Sequence, residues 1–427
     1  MTYCKTILLL MVCFAKINFS NAQQSNSPVK TTIQTTSSGF TVYRNSQPYF
    51  IKGAGGTDYM ERLAECGGNS IRTWSTRNAT DILNKAATLG LTVTLGLDVA
   101  RERHGFDYND TAAVKRQLEK LRGEVRANKN YPALMAWGIG NELNLEYTNI
   151  KVWDAVNEIA EMIHQEDPNH LVTTMLAGIN KKEITLIKAQ CPALNLLSVQ
   201  VYGGLAKAPE QLIAAGWNGP YMVTEWGPTG HWETMVTPWK AAVEETSSEK
   251  ARVYKTRYQQ SILKDKRCVG SYVFLWGQKQ ERTPTWYGLF TENGEETEVI
   301  DEMQYLWTTK YPANRAPHIN LFLLNNKKAI DVVYVSPAKN YPLMVSTSDP
   351  NNDPLIFRWE LLNESTDLGS GGDRESRPAT MPVAVTKTSK NNYRFTSPTK
   401  TGAYRIFVYI SDGHNKVATG NIPFYVQ

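Results

Sequence analysis

The chain has 427 residues, 41% of them hydrophobic and 20% charged, which excludes both a single small module and a disordered chain. Its net charge of +5 comes from 46 basic and 41 acidic residues spread along the length. With no basic block, the pI of about 8.7 does not point to a nucleic-acid partner. Mean hydropathy is −0.40 and a single apolar stretch stands at the N-terminus, so an integral membrane protein is excluded.

That stretch reads as a targeting segment. Lys5 precedes the apolar run Ile7–Ala15, and Ser20-Asn21-Ala22 offers small residues before Gln23. A basic residue, a short apolar core and a small-residue site make a secretory signal peptide over residues 1–22. A membrane anchor needs roughly 20 apolar residues, and a lipoprotein signal needs a small residue where Val12 precedes Cys13. Cleavage after Ala22 leaves Cys66, Cys191 and Cys268 and a net charge of +3. Three scattered cysteines have no zinc spacing and form no disulfide scaffold, so the choice is one bridge or three buried thiols.

Residues 23–48 begin with a polar tail and continue with a hairpin, Thr31–Phe50, turning at Gly39 and Asn45-Ser46 and closing a barrel floor. From 49 to 312 short apolar runs alternate with amphipathic helical patterns. The runs are Tyr49–Ala54, Ser70–Trp74, Leu91–Leu97, Ala133–Gly140, Leu171–Leu176, Leu196–Val201, Pro220–Thr224 and Gly270–Trp276. Helical spacing is clear over Ala112–Ala127 and Val152–Gln165, where Val152, Val156, Ile159, Ala160 and Ile163 share one face. Eight such units predict an α/β fold, a (β/α)8 TIM barrel. A doubly wound sheet is the rival, but Gly53-Ala54-Gly55-Gly56 lacks the dinucleotide-binding glycine spacing.

Residues 313–427 change pattern. Ile330–Val335, Leu343–Thr347, Leu355–Leu361, Val383–Thr388, Tyr393–Thr396, Ala403–Ile410 and Ile422–Val426 are short alternating runs divided by turn residues, predicting a small all-β sandwich. Ser348–Leu355 followed by Phe357-Arg358-Trp359 resembles polycystic-kidney-type and cadherin-like immunoglobulin-like domains. Its acidic loop fits a calcium ion or simply a capped turn. Ser365–Ser376, with Gly369, Gly371 and Gly372, reads as a flexible loop.

The chemistry is expected at strand ends, because reacting groups in such barrels come from the C-terminal rim. Trp137-Gly138-Ile139-Gly140-Asn141-Glu142 ends the fourth run and Tyr221-Met222-Val223-Thr224-Glu225-Trp226 passes the end of the seventh. Two carboxylates across a cleft suit glycoside hydrolysis, one protonating the leaving oxygen and the other staying ionised. Asn141, beside the first, is placed to bond a sugar hydroxyl. Aromatic faces pack on sugar C–H faces, so Trp276 at the end of the eighth strand leads the platform candidates, followed by Trp74, Trp226 and Trp232. Trp153 and Trp307 sit in helical patterns and read as packing residues. The loops 226–248 and 277–299, with Thr285-Trp286-Tyr287-Gly288, are expected to shape subsites. His104 and His231 read as solvated loop residues with the cleft as the alternative. No residue cluster has metal spacing, and no cofactor is expected.

These motifs resemble the clan A glycoside hydrolases. The run ending in Asn141-Glu142, with Ile51-Lys52-Gly53 and Asn69-Ser70-Ile71-Arg72, is most similar to the catalytic barrel of glycoside hydrolase family 2, over roughly residues 40–310. Families 5, 17 and 72 are also similar. Family 2 barrels usually follow β-domains for which this chain has no room, so the family's β-galactosidase-type activities are not carried over. The resemblance implies a retaining double displacement with Glu142 as acid/base and Glu225 as nucleophile, their carboxyl groups about 5–5.5 Å apart. It further implies Asn141 on the sugar 2-hydroxyl, Tyr202 bonded to the nucleophile, and Arg72 holding Glu225 ionised. For Tyr202 a plain strand-end aromatic is the alternative, and for Arg72 a structural ion pair.

The expected activity is therefore an exported β-glycan hydrolase, acting in the periplasm, at the cell surface or outside the cell, with a β-linked polysaccharide or oligosaccharide as partner. A transglycosylase using the same pair, or a non-catalytic glycan-binding protein, is the alternative. The sandwich is expected to serve as a spacer or packing module.

Overall fold

The structure, a computed structural model, describes residues 27–37 and 39–427. The targeting segment read in residues 1–22 lies outside the described residues.

Strands β1 (Thr31–Thr36), β2 (Gly39–Arg44) and β3 (Gln47–Tyr49) form an antiparallel sheet. Its Ile33, Phe40, Val42 and Tyr49 pack on Ile51, Met135, Leu171, Leu196 and Met222 at the N-terminal ends of the barrel strands, covering the floor. Eight parallel strands follow: β4 (Ile51–Gly55), β5 (Ser70–Arg72), β6 (Thr92–Leu97), β7 (Leu134–Asn141), β8 (Leu171–Ala177), β9 (Leu197–Gln200), β10 (Tyr221–Trp226) and β11 (Cys268–Val273). They pair in chain order, and β11 returns to β4 to close the barrel. Each corresponds to one of the eight apolar runs, and the architecture is a (β/α)8 barrel rather than a doubly wound sheet.

The helices are α1 (Met60–Glu65), α2 (Ala79–Thr88), α3 (Thr111–Asn128), α4 (Lys151–Glu166), α5 (Lys181–Gln190), α6 (Ala208–Ala214), α7 (Ser247–Arg257) and α8 (Glu298–Thr308). On α4 the five apolar residues at helical spacing are buried, which is the burial that fixes the helix against the strands. Asp110 caps α3 by accepting from the Ala112 and Ala113 amides, and Thr246 and Glu249 form a reciprocal capping box on α7. Inside the barrel, the Tyr272 hydroxyl bonds Ser70 Oγ at 2.9 Å and Thr94 Oγ1 at 2.6 Å. The Tyr272 ring lies where a Cβ on residue 53 would stand, 2.3 Å away; Gly53 is a packing requirement, not part of a nucleotide loop. Cys66, Cys191 and Cys268 are buried free thiols.

The remaining strands are β12 (Glu296–Thr297), β13 (His318–Leu324), β14 (Val333–Val335), β15 (Asn340–Ser348), β16 (Ile356–Asn363), β17 (Thr380–Met381), β18 (Ala384–Lys387), β19 (Asn392–Thr396), β20 (Gly402–Ser411) and β21 (Lys416–Val426). One sheet orders β12-β21-β20-β16-β17 with β14 on β21, and the other β13-β15-β19-β18. Phe322, Leu343, Val345 and Phe395 of the second face Ile406, Val408, Ile422 and Phe424 of the first, giving a sandwich core. The sequence pattern missed β13 and the first half of β21, and it took Ile330–Val335 as one run. Residues 329–331 are instead a 3-10 turn before β14. Near the acidic turn, Asp349 accepts from the Asn351 and Asp353 amides, while carboxylate oxygens of Asp349, Asp353 and Asp412 lie within 4.8 Å of one another.

The sandwich is not a module hung on a linker. Strand β12 belongs to the loop after barrel strand β11, yet it pairs in parallel with β21. Ser247 and Ser248 at the start of α7 accept the Thr419 and Ile319 amides at 2.9 Å. Lys416 of β21 is buried between Glu296 at 2.6 Å and Asp301 at 2.5 Å, both from the barrel side. Breaking a buried pair from one side leaves uncompensated charge. Lys416→Ala is therefore expected to lower the unfolding free energy by about 3 kcal/mol, measured by urea denaturation; a loss under about 0.5 kcal/mol would mean the pair adds no more than a surface bridge.

Candidate active site

Both glutamates sit beyond irregularities in their strands. The register between β7 and β8 shifts between Ile139 and Asn141, with Gly140 at φ 67° and Glu142 at φ 53°. The register between β9 and β10 shifts between Val223 and Glu225. A bulge re-aims the residues that follow it. Here the two bulges turn Asn141, Glu142 and Glu225 toward one cavity of about 460 Å³ at the C-terminal rim, lined also by Trp74, Tyr202 and Trp232.

Glu225 is buried and receives four donors. Arg72 Nη1 (2.7 Å), Trp74 Nε1 (2.9 Å) and Gln200 Nε2 (3.0 Å) converge on Oε1, and the Tyr202 hydroxyl reaches Oε2 at 3.1 Å. Only a group that accepts at both oxygens uses this set fully, so the surroundings suit a carboxylate. Arg72, 1% exposed, also donates to Asn141 Oδ1 and to the Thr224 carbonyl at 3.0 Å. Gln200 donates to Asn141 Oδ1 at 2.7 Å. The Asn141 carbonyl oxygen is thereby occupied, leaving its amide nitrogen as the donor for a ligand. Burial, and then the charge of Glu225, hold the Tyr202 phenol well above its ordinary value, so it remains a donor.

Glu142 is placed differently. Burial raises its carboxyl well above the usual range, the Glu225 charge raises it further, and Arg72, Arg103 and Arg101 only partly oppose this. A carboxyl biased toward its protonated form, beside a second one met by four hydrogen-bond donors, is an arrangement that acid/base chemistry at a glycosidic bond can use.

The structure brings together Glu142, Glu225, Asn141, Arg72, Tyr202, Trp74 and Trp232. Trp74 has a second part beyond the expected platform, since its indole nitrogen is bonded to Glu225. Trp232 is 58% exposed at the rim, with its ring edge-on to Tyr202 at 5.4 Å. Two platform expectations are corrected. Trp226 is fully buried against Tyr254 and Tyr258, because the residue after Glu225 points out of the barrel toward α7. Trp276 is 1% exposed, donating to the Tyr59 carbonyl at 3.1 Å and packing on Phe290 and Trp307. Neither ring has a face for a sugar. Trp286 and Tyr287 are likewise buried, and Tyr287 packs behind Tyr202 and Phe274. Trp153 and Trp307 are buried, as their helical spacing implied.

His231 is held between Glu281 and Arg282, while His104 lies 3.4 Å from Asp373; neither lines the cavity. Lys279 and Glu281 line the cavity from the loop 277–299 that was expected to shape subsites, while Gln200, Arg101, Phe274 and Leu275 take part in the site without having been singled out from the sequence. Gln200 was legible in principle as a long polar side chain at the C-terminal end of a barrel strand. Also missed was the loop Ser365–Ser376 of the sandwich, whose Gly371, Gly372, Asp373 and Arg374 form a wall of the same cavity.

No protein-family model matches the chain, and no curated protein matches its sequence. Solved structures do. The β-glucuronidase of Faecalibacterium prausnitzii superposes with a TM-score of 0.51 at 18% identity, covering 65% of this chain and 52% of that one. A family 2 β-galacturonidase from Eisenbergiella tayi, bound to galacturonate, gives 0.52 at 17%, covering 66% and 55%. Bacteroides uniformis β-glucuronidase 2 gives 0.53 at 16%, covering 93% and 48%. The chain spans about half the length of these proteins. The likeness is one of fold: the parallel barrel and, in the last case, its β-domain as well.

Proposed function

We propose that the chain is an exported retaining β-glycosidase. Glu142 protonates the glycosidic oxygen as the bond to the anomeric carbon breaks, and Glu225 attacks that carbon to form a glycosyl ester. Glu142, then ionised, takes a proton from water, which attacks the anomeric carbon and releases Glu225. The observation that carries this reading is the pairing in one cavity of a carboxyl kept protonated with a carboxylate held by four donors. Asn141, with its nitrogen free, binds a sugar hydroxyl, and Trp232 offers the exposed aromatic face. The fold shared with solved β-glycosidases agrees with it. Export rests on the composition of residues 1–22.

The test is product release from a panel of β-linked glycans and aryl β-glycosides, with the first-formed anomer read by proton NMR. Release of the β-anomer is expected. A first product of α configuration overturns the double displacement, and products longer than the substrate identify transfer to a sugar acceptor. Binding without any release would leave a glycan-binding protein instead.

A further inference from the structure

The loop between β16 and β17 belongs to the sandwich but is seated on the barrel's catalytic face. Arg103 pairs with Asp373 at 2.9 Å and Arg282 with Glu375 at 2.9 Å. Lys279 donates to the Gly372 carbonyl at 3.0 Å, and Ser370 Oγ to Glu146 at 2.9 Å. At Gly371, with φ 56°, a Cβ would stand 2.6 Å from Leu145, so the glycines here serve close seating.

The charges around the cavity then divide in a definite way. The ionised acids lining it are answered: Glu225 by Arg72 at 2.7 Å, Glu281 by Lys279 at 2.7 Å, and Asp373 by Arg103 at 2.9 Å. Glu142 is kept protonated by burial and by Glu225. Of the cations lining it, Lys279 is spent on Glu281. Arg101, whose Nε donates to the Asn141 carbonyl at 3.1 Å, and Arg374 form no ion pair within 4 Å among the described residues; Arg101 acts at longer range on the Glu142 carboxyl and Arg374 on Asp367. Two arginines without an ion pair, one from each domain, thus line a cavity whose own acids are already answered.

We infer that Arg101 and Arg374 form a subsite, shared between barrel and sandwich, for an anionic substituent of the glycan: a sugar carboxylate or a sulfate ester. This rests on the glycosidase reading of the cavity. A guanidinium matches either oxyanion with paired N–H donors, and Arg374, although exposed, stands at the open side of the cavity where a substituent of the bound glycan would leave it. The sandwich is then part of the substrate site, which a spacer would not be.

The test compares aryl β-hexosides, β-hexuronides and 6-sulfated β-hexosides on the full chain, in wild type, Arg374→Ala, Arg374→Glu and Arg374→Lys. Wild type is expected to favour an anionic series, and the series favoured names the source of the charge. The kcat/KM ratio of anionic over neutral substrate should fall about tenfold or more in Arg374→Ala, carried by KM, fall further in Arg374→Glu and recover in Arg374→Lys. Turnover with a ratio unmoved by any of these variants overturns the subsite and leaves the glycosidase standing. If nothing is turned over, calorimetry with uronic and sulfated oligosaccharides decides: binding that depends on Arg374 keeps the subsite and removes the glycosidase. Absence of both turnover and binding overturns both.

Discussion

Glu225→Gln is expected to lower kcat by at least about 10⁴-fold on every substrate, whatever the leaving group. In the proposed double displacement the carboxylate becomes covalently bonded, so an amide of the same shape cannot replace it. The substitution also places an NH2 group among four donors. Arg72 loses its charge partner while keeping the Thr224 carbonyl and Asn141 Oδ1, so the protein should still fold, with lower stability. Measured on an aryl β-glycoside and on a natural oligosaccharide, equal large losses assign the nucleophile. A loss under about tenfold on either would remove Glu225 from the chemistry.

Glu142→Gln should behave differently on both activity and stability. Its turnover falls by about 10²–10⁴-fold on substrates with a poor leaving group, and much less where the leaving phenol needs no proton. The stability effect follows from its raised carboxyl. Between the ordinary value near 4.5 and its raised one, the folded protein binds a proton that the unfolded chain has lost. Unfolding free energy therefore falls as pH rises through that window. Glutamine carries no such penalty, so the variant should be more stable than wild type by on the order of 2 kcal/mol at alkaline pH and indistinguishable from it below pH 4. Denaturant titrations at both pH values check this; equal stabilities at alkaline pH would mean Glu142 ionises freely. In wild type, the alkaline limb of kcat/KM should track the loss of this same proton. Where activity gains from holding the proton, the fold is weakened by it, an opposition common at functional sites.

The two arginines of the rim and the seated loop change the meaning of the second domain. Its strand β21 is tied to the barrel through β12, Lys416 and the α7 serines, and its loop closes one side of the cavity. Rigid attachment is what allows a side chain on a distant domain to act at a site, since a mobile loop would dilute the contact by the entropy of ordering it.

The sequence by itself determined the elements that rest on local pattern. Apolar runs of strand length alternating with helices of 3.6-residue spacing set the barrel, because burial on both faces demands such runs. A carboxylate following the fourth and seventh of them placed Glu142 and Glu225 at one rim, since all parallel strands end at the same face. What only the tertiary structure decided depends on offsets and on contacts between distant segments. Trp226 and Trp276 are reasonable strand-end platforms by position, but Trp226, next to the bulge before Glu225, packs on Tyr254 and Tyr258, and Trp276, beyond the end of β11, is covered by Tyr59, Phe290 and Trp307. Gln200 and Trp74 reach Glu225 only through barrel closure. The loop carrying Arg374 reads as flexible from its glycines, because the ion pairs that seat it come from residues far away in the chain, and no local pattern encodes a partner that distant.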